Sequence, residues 1–233
     1  MKRITTGSDD LDRILGGGIP QGHVVLLAGA PGTMKTSLAY AILHANAVGG
    51  VRGLYISLEQ SRASLLEHTD SMGFDGKAVK DALSVLDLAT LRKRMGDGGS
   101  WMDLFKMYTQ SIRAGFPYQV LVLDSLDALE LLAKFANYRH EVWELFRWLR
   151  GLGCTSIVLG ELSSMGPRDA PEAFGKHRED YLADGIIHLR LEKRGDFEVK
   201  RVVRVVKMRG AKHDLGYHIL VFDKGFRVTE LMA

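Results

Sequence analysis

Gly29-Ala30-Pro31-Gly32-Thr33-Met34-Lys35-Thr36 is one residue away from the phosphate-cradling pattern G-x-x-x-x-G-K-[ST], with Met34 where the pattern has its second glycine. Upstream, His23-Val24-Val25-Leu26-Leu27-Ala28 has the apolar run of a strand buried on both faces, and Lys35 to Ala47 downstream is rich in helix formers. Strand, glycine-rich loop and helix together give the motif its meaning. Loop N–H groups and a helix N-terminus form a concave positive surface for phosphates. The backbone of Gly29, Ala30, Pro31, Gly32, Thr33, Met34 and Ser37 is expected to line those phosphates. Lys35 is expected to hold the outer ones and the Thr36 hydroxyl to ligate Mg²⁺. A plain Gly/Pro turn is the alternative, and the carboxylates downstream count against it. The motif points to a nucleoside triphosphate, with ATP and Mg²⁺ as the expected ligands.

Composition agrees with a compact enzyme. The 233 residues suit one α/β domain spanning 1–233, and the 46% hydrophobic content is enough for a core. The one cysteine, Cys154, has no internal disulfide partner and lies in an apolar strand, which suggests an inert core thiol. The start, Met1-Lys2-Arg3-Ile4-Thr5-Thr6, lacks the apolar run of a signal peptide, and no stretch is long enough to span a bilayer. A cytoplasmic protein without membrane contact is the expectation. The net charge of +3 neither demands nor forbids nucleic acid.

Apolar strand candidates fall at 23–28, 53–58, 83–87, 119–123 and 154–159, with helical stretches at 35–47, 61–70, 101–114 and 137–150 between them. In the last helix Val142, Leu145, Phe146 and Leu149 recur at i, i+3, i+4 and i+7, marking one buried face. This alternation predicts a mostly parallel, twisted sheet flanked by helices. After residue 180 the pattern changes to strands at 185–192, 198–207, 216–222 and 226–229, joined by turns such as Gly195-Asp196 and Asp223-Lys224-Gly225. An α/β core ending in an antiparallel meander is expected.

Three carboxylates close apolar strands and add catalytic chemistry to phosphate binding. Asp124 ends Val120-Leu121-Val122-Leu123, and beside Thr36 it would help hold Mg²⁺. Glu59 ends Leu54-Tyr55-Ile56-Ser57-Leu58. Ligands of open α/β sheets sit at the carboxyl ends of strands, so Glu59 is expected to face the γ-phosphate and to act as base for an attacking water. Glu161 closes Ser156-Ile157-Val158-Leu159-Gly160 on the same edge, where it could sense phosphate, bridge to a neighbour or simply face solvent.

Charge is uneven further on. Residues 190–213 hold nine Lys or Arg against three acids, an arrangement mostly suited to the solvated face of a hairpin. Lys207 and Arg209, one residue apart, are expected to project from one face of a strand and converge on one anion.

The opening Thr6-Gly7-Ser8…Leu11-Asp12…Leu15-Gly16-Gly17-Gly18-Ile19-Pro20-Gln21-Gly22 resembles the KaiC-like branch of the RecA ATPase superfamily. So do Tyr181-Leu182-Ala183-Asp184-Gly185-Ile186-Ile187-His188-Leu189 and Val206-Lys207-Met208-Arg209-Gly210-Ala211-Lys212-His213. The resemblance runs in order from about residue 4 to 228. It implies a RecA-like P-loop NTPase fold and a homo-oligomeric ring, usually hexameric, with ATP between subunits. It further implies that Lys207 and Arg209 reach the γ-phosphate held by the adjacent protomer, with His213 in the same interface. By that resemblance the Arg209 guanidinium would stabilise the transition state from the adjacent subunit.

Two departures from the family pattern bear on rate. Met34 replaces a glycine that permits close backbone approach, and is expected to crowd the loop. Gln60 stands where relatives often carry a second Glu. Both point to slow ATP hydrolysis in a regulatory or signalling role, where a regulatory protein partner would fit. Two other readings stay open: an ATP-binding sensor with little hydrolysis, and a DNA recombination or helicase-type motor. The motor needs a nucleic-acid path, for which residues 162–180 are the candidate loop. There Arg168, Lys176 and Arg178 face Asp169, Glu172, Glu179 and Asp180, not the basic surplus that phosphate tracking uses.

Overall fold

The computed structural model describes residues 2–88, 90, 100–161 and 181–230. A two-stranded ribbon, β1 (Arg3–Ile4) with β2 (Ile19–Pro20), brackets the short helix α1 (Asp9–Ile14). Strand β3 (Val24–Gly29) then leads through the glycine-rich loop into α2 (Lys35–Val48). There follow β4 (Gly53–Ser57), α3 (Arg62–Ser71), β5 (Leu83–Asp87), α4 (Trp101–Gly115), β6 (Val120–Asp124), α5 (Leu126–Ala133), α6 (Tyr138–Gly151) and β7 (Thr155–Glu161). The chain ends in β8 (Gly185–Arg194), β9 (Glu198–Met208), β10 (Tyr217–Phe222) and β11 (Phe226–Glu230).

Nine strands form one sheet in the order β11-β10-β9-β8-β3-β7-β6-β4-β5. From β8 to β5 every pairing is parallel, and from β8 to β11 every pairing is antiparallel. The expected parallel sheet with an antiparallel end is therefore present. All six residues of β3 are buried, because helices cover both faces of the sheet. Val25 and Leu27 face the core under α2 and α3, which also holds Leu38, Ile42 and Tyr55. Val24, Leu26 and Ala28 face the core under α4 to α6, with Phe105, Leu121 and Phe146. Val142, Leu145, Phe146 and Leu149 of α6 are all buried, as their spacing requires. Cys154 is buried, and burial pushes its thiol pKa up.

Side-chain caps start several helices: Ser61, Ser100, Ser125 and Asn137 accept from backbone N–H groups at α3, α4, α5 and α6. The element order collects the carboxyl ends of β3, β7, β6 and β4 along one edge. That edge carries the phosphate loop, Glu161, Asp124 and Glu59. The candidate nucleic-acid loop, 162–180, lies outside the described residues. No helix among the described residues is long and apolar enough to cross a membrane.

Candidate nucleotide-binding site

The loop leaves β3 at Gly29, where a Cβ would lie 2.6 Å from the Leu189 carbonyl oxygen of β8. Only glycine lets the two backbones approach this closely. Five residues on, Met34 caps α2 with φ 72° and ψ 30°, the left-handed conformation. A residue with a Cβ carries a cost of about 1–2 kcal/mol there. Its half-buried side chain packs against the core on the α2 side of the sheet. The departure from glycine thus acts mainly through backbone conformation, whereas crowding of the loop by a side chain is the sequence expectation.

A cavity of about 500 Å³ opens over the loop, lined by Pro31 to Ser37, Glu59, His68, Asp124, Ser125, Glu161 and Arg201. Volumes of roughly 300–1,000 Å³ are usual for small-molecule sites. The Lys35 ammonium donates to the Gly29 carbonyl at 2.7 Å and the Ala30 carbonyl at 3.2 Å, folding back over the loop. Burial pulls its pKa down, and the carboxylates of Glu161, Asp124, Asp127 and Glu59 work against that pull. A bound polyphosphate would add the same kind of support for the charge.

The Thr36 hydroxyl donates to Asp124 Oδ2 at 2.9 Å, across 88 residues of chain. Tyr55 donates to the same oxygen at 2.5 Å. Asp124 is 4% exposed, and burial pushes its pKa up, against the hydrogen bonds from Tyr55 and Thr36. A hydroxyl and a carboxylate side by side are hard oxygen donors, the set that Mg²⁺ uses when phosphates and water complete its shell. Thr36 and Asp124 fit that ion.

Glu59 sits exposed on the same rim and accepts a short hydrogen bond from Ser125, the residue after Asp124. The Glu161 amide donates to Asp127 at 2.7 Å, so Glu161 is tied to the same edge. Arg201 of β9 donates to the Gly32 carbonyl at 3.2 Å, and His68 lies 3.3 Å from the Ser37 hydroxyl. Sequence reasoning missed Tyr55, His68, Ser125 and Arg201. Their contacts span 31 to 169 residues, and no local pattern marks them.

Lys207, Arg209 and His213 are not among the residues lining this cavity. β9 stops at Met208, so Arg209 belongs to the turn beyond it, which corrects the expectation that strand alternation aims both cations. They converge by another route. Lys207 donates to the Ala183 carbonyl at 2.6 Å, and Arg209 pairs with Asp184 at 2.8 Å. The Asp184 amide donates to the Val24 carbonyl at the amino end of β3, and the Asp184 carbonyl accepts from the Arg209 amide. The phosphate loop begins at the carboxyl end of that strand, roughly 17 Å away at about 3.3 Å per residue. His213 lies in the loop after β9, its Nδ1 3.3 Å from the Ala211 carbonyl oxygen.

The family model described as "ATPase: KaiC" matches residues 4–232. A UPF0273 protein of Thermotoga maritima is 32% identical, covering 97% of this chain and 95% of its own. A UPF0273 protein of Aeropyrum pernix is 33% identical, with 97% and 93% covered. The crystal structure of a KaiC-like protein from Pyrococcus horikoshii superimposes with a TM-score of 0.81 at 25% identity, covering 97% of this chain and 98% of that one. With the phosphate loop, Asp124 and Glu59 gathered on one sheet edge, the chain belongs to the KaiC-like ATPases of the RecA superfamily.

Proposed function

We propose that this chain, as one domain, binds ATP with Mg²⁺ and hydrolyses it slowly at the subunit interfaces of a homohexameric cytoplasmic ring with a regulatory or signalling role. The observation that carries the reading is the 2.9 Å contact between Thr36 and Asp124, with Lys35 alongside and Glu59 on the same rim. Thr36 and Asp124 would hold Mg²⁺, which would supply positive charge to offset that of the phosphates. Lys35 leaves the Gly29 and Ala30 carbonyls for the outer phosphates, and the loop amides orient them. Glu59 orients a water in line with the γ-phosphorus and takes its proton, while Ser125 fixes the carboxylate.

Arg209 sits too far along β3 to serve its own nucleotide, which favours donation to a neighbour's site. There Arg209 and Lys207 would stabilise the charge on the transferring phosphoryl group, with His213 beside them. Slow turnover is supported by the left-handed Met34 and by Gln60 in place of a second carboxylate.

The test is Glu59→Gln. It should keep ATP affinity and lose most Mg²⁺-dependent phosphate release. Full turnover in that variant would rule out Glu59 as base. Loss of affinity as well would mean that Glu59 serves binding.

A further inference from the structure

Tyr55 is fully buried in the α2-side core, where a phenylalanine would fill the same space without a hydroxyl to satisfy. On β4 the strand partner of Asp124 is Ser57, and Tyr55, two residues away, lies diagonally across on the same face. β4 and β6 run parallel, about 4.8 Å apart with about 3.3 Å of rise per residue, so a residue two positions along the neighbouring strand is within reach of an aromatic side chain. The phenol therefore runs under the sheet edge and ends on Asp124 Oδ2 at 2.5 Å.

The donor count around this carboxylate is uneven. Oδ2 accepts from both Tyr55 and Thr36, and Oδ1 accepts from no described residue. Two donors on one oxygen fix the rotation of the carboxylate about its Cβ–Cγ bond. Asp124 is among the residues lining the cavity, so its second oxygen is the one left for a ligand there. A hydroxyl can donate its proton to Oδ2 and offer a lone pair to a cation at once, so Thr36 serves both partners. Tyr55 donates to the same oxygen from the buried core, which makes it the donor dedicated to holding the carboxylate. Partners of this kind, behind the groups that hold a metal, change metal affinity by roughly 10–100-fold when removed.

We propose that Tyr55 is a positioning residue for divalent-cation binding: it locks the Asp124 carboxylate so that Oδ1 and the Thr36 hydroxyl face one hydrated Mg²⁺ together. This rests on the Mg²⁺–nucleotide reading above.

The experiment is a calorimetric titration of ADP at stepped Mg²⁺ concentrations and in excess EDTA. It compares wild type, Tyr55→Phe, Asp124→Asn and the double variant. In wild type, Mg²⁺ should tighten ADP binding. In Tyr55→Phe the Mg²⁺ needed for half of that effect should rise about tenfold, the lower end of the range for such partners. The EDTA affinity should stay within about twofold. In the Asp124→Asn background, Tyr55→Phe should change the Mg²⁺ requirement no further. An unaltered Mg²⁺ requirement in a folded Tyr55→Phe protein overturns the proposal. So does equal loss of ADP affinity with and without Mg²⁺. A Tyr55→Phe chain that folds only when Asp124→Asn is added would assign the hydroxyl to folding, and that too overturns it. Wild-type affinity that ignores Mg²⁺ would overturn the underlying reading as well, so the two failures are told apart.

Discussion

The Arg209 guanidinium lies 2.8 Å from the Asp184 carboxylate, at the opposite end of β3 from the phosphate loop of the same chain. Asp184 is itself held by the Val24 amide at 3.1 Å and by Arg150 at 3.2 Å. The Arg209 side chain stays 55% exposed there, as the proposed donation to a neighbouring subunit requires. Free arginine side chains lose up to about 2 kcal/mol of rotamer freedom on being fixed, and Asp184 removes part of that loss beforehand.

Arg209→Ala should therefore leave ATP affinity within a few-fold and lower hydrolysis by up to about 10³-fold, less if the parent enzyme is slow. Mixing Arg209→Ala with Lys35→Ala subunits should recover activity, because some interfaces would pair a sound loop with a sound Arg209. Phosphate-release assays on proven mixed rings read this out. No recovery would argue against donation in trans.

Asp184 also makes stability depend on pH. Burial alone would raise its pKa, but the Val24 amide, Arg150 and Arg209 outweigh it and hold the carboxyl below its ordinary value. A depressed folded-state pKa adds stability that is complete above the unfolded pKa, about 3.9, and fades as pH falls through the folded value. Asp184→Asn should cost about 1–2 kcal/mol near pH 7, since the carboxylate takes several charge-assisted hydrogen bonds while both arginines are partly exposed. The gap between the two proteins in urea unfolding should narrow below about pH 4. A gap that stays constant down to pH 3 would contradict the assignment.

Met34→Gly removes the left-handed penalty of about 1–2 kcal/mol. It also gives up the half-buried packing and loosens the unfolded chain by about 0.5–1 kcal/mol. These terms nearly cancel, so the melting temperature should move by only a few degrees. ATP affinity should hold, and turnover should rise as the loop adjusts more freely between nucleotide states. A fall in turnover would show the methionine side chain to be an adapted part of the site.

Local signals made most of this legible. Strand and helix limits fall within a residue or two of those expected, because buried strands and the α6 stripe declare themselves over a few residues. Two short helices did not. α1 (Asp9–Ile14) and α5 (Leu126–Ala133) are six and eight residues long, too brief for a clear period, and begin on the caps Ser8 and Ser125. Within the site, the loop, Thr36, Asp124 and Glu59 were readable from strand ends. Tyr55 read as one more core residue, since nothing near it in sequence reveals that its hydroxyl ends on Asp124. For Met34 the sequence shows an added side chain, and only the φ of 72° shows that the backbone bears the change.

The central claim is that the Gly29–Thr36 loop holds the phosphates of ATP with Lys35 as their cation. Calorimetric titration of ATP with Mg²⁺ into wild type and a folded Lys35→Ala variant tests it most directly. Clear binding in wild type and loss or severe weakening in the variant is the predicted result; equal affinity in the two proteins would contradict it.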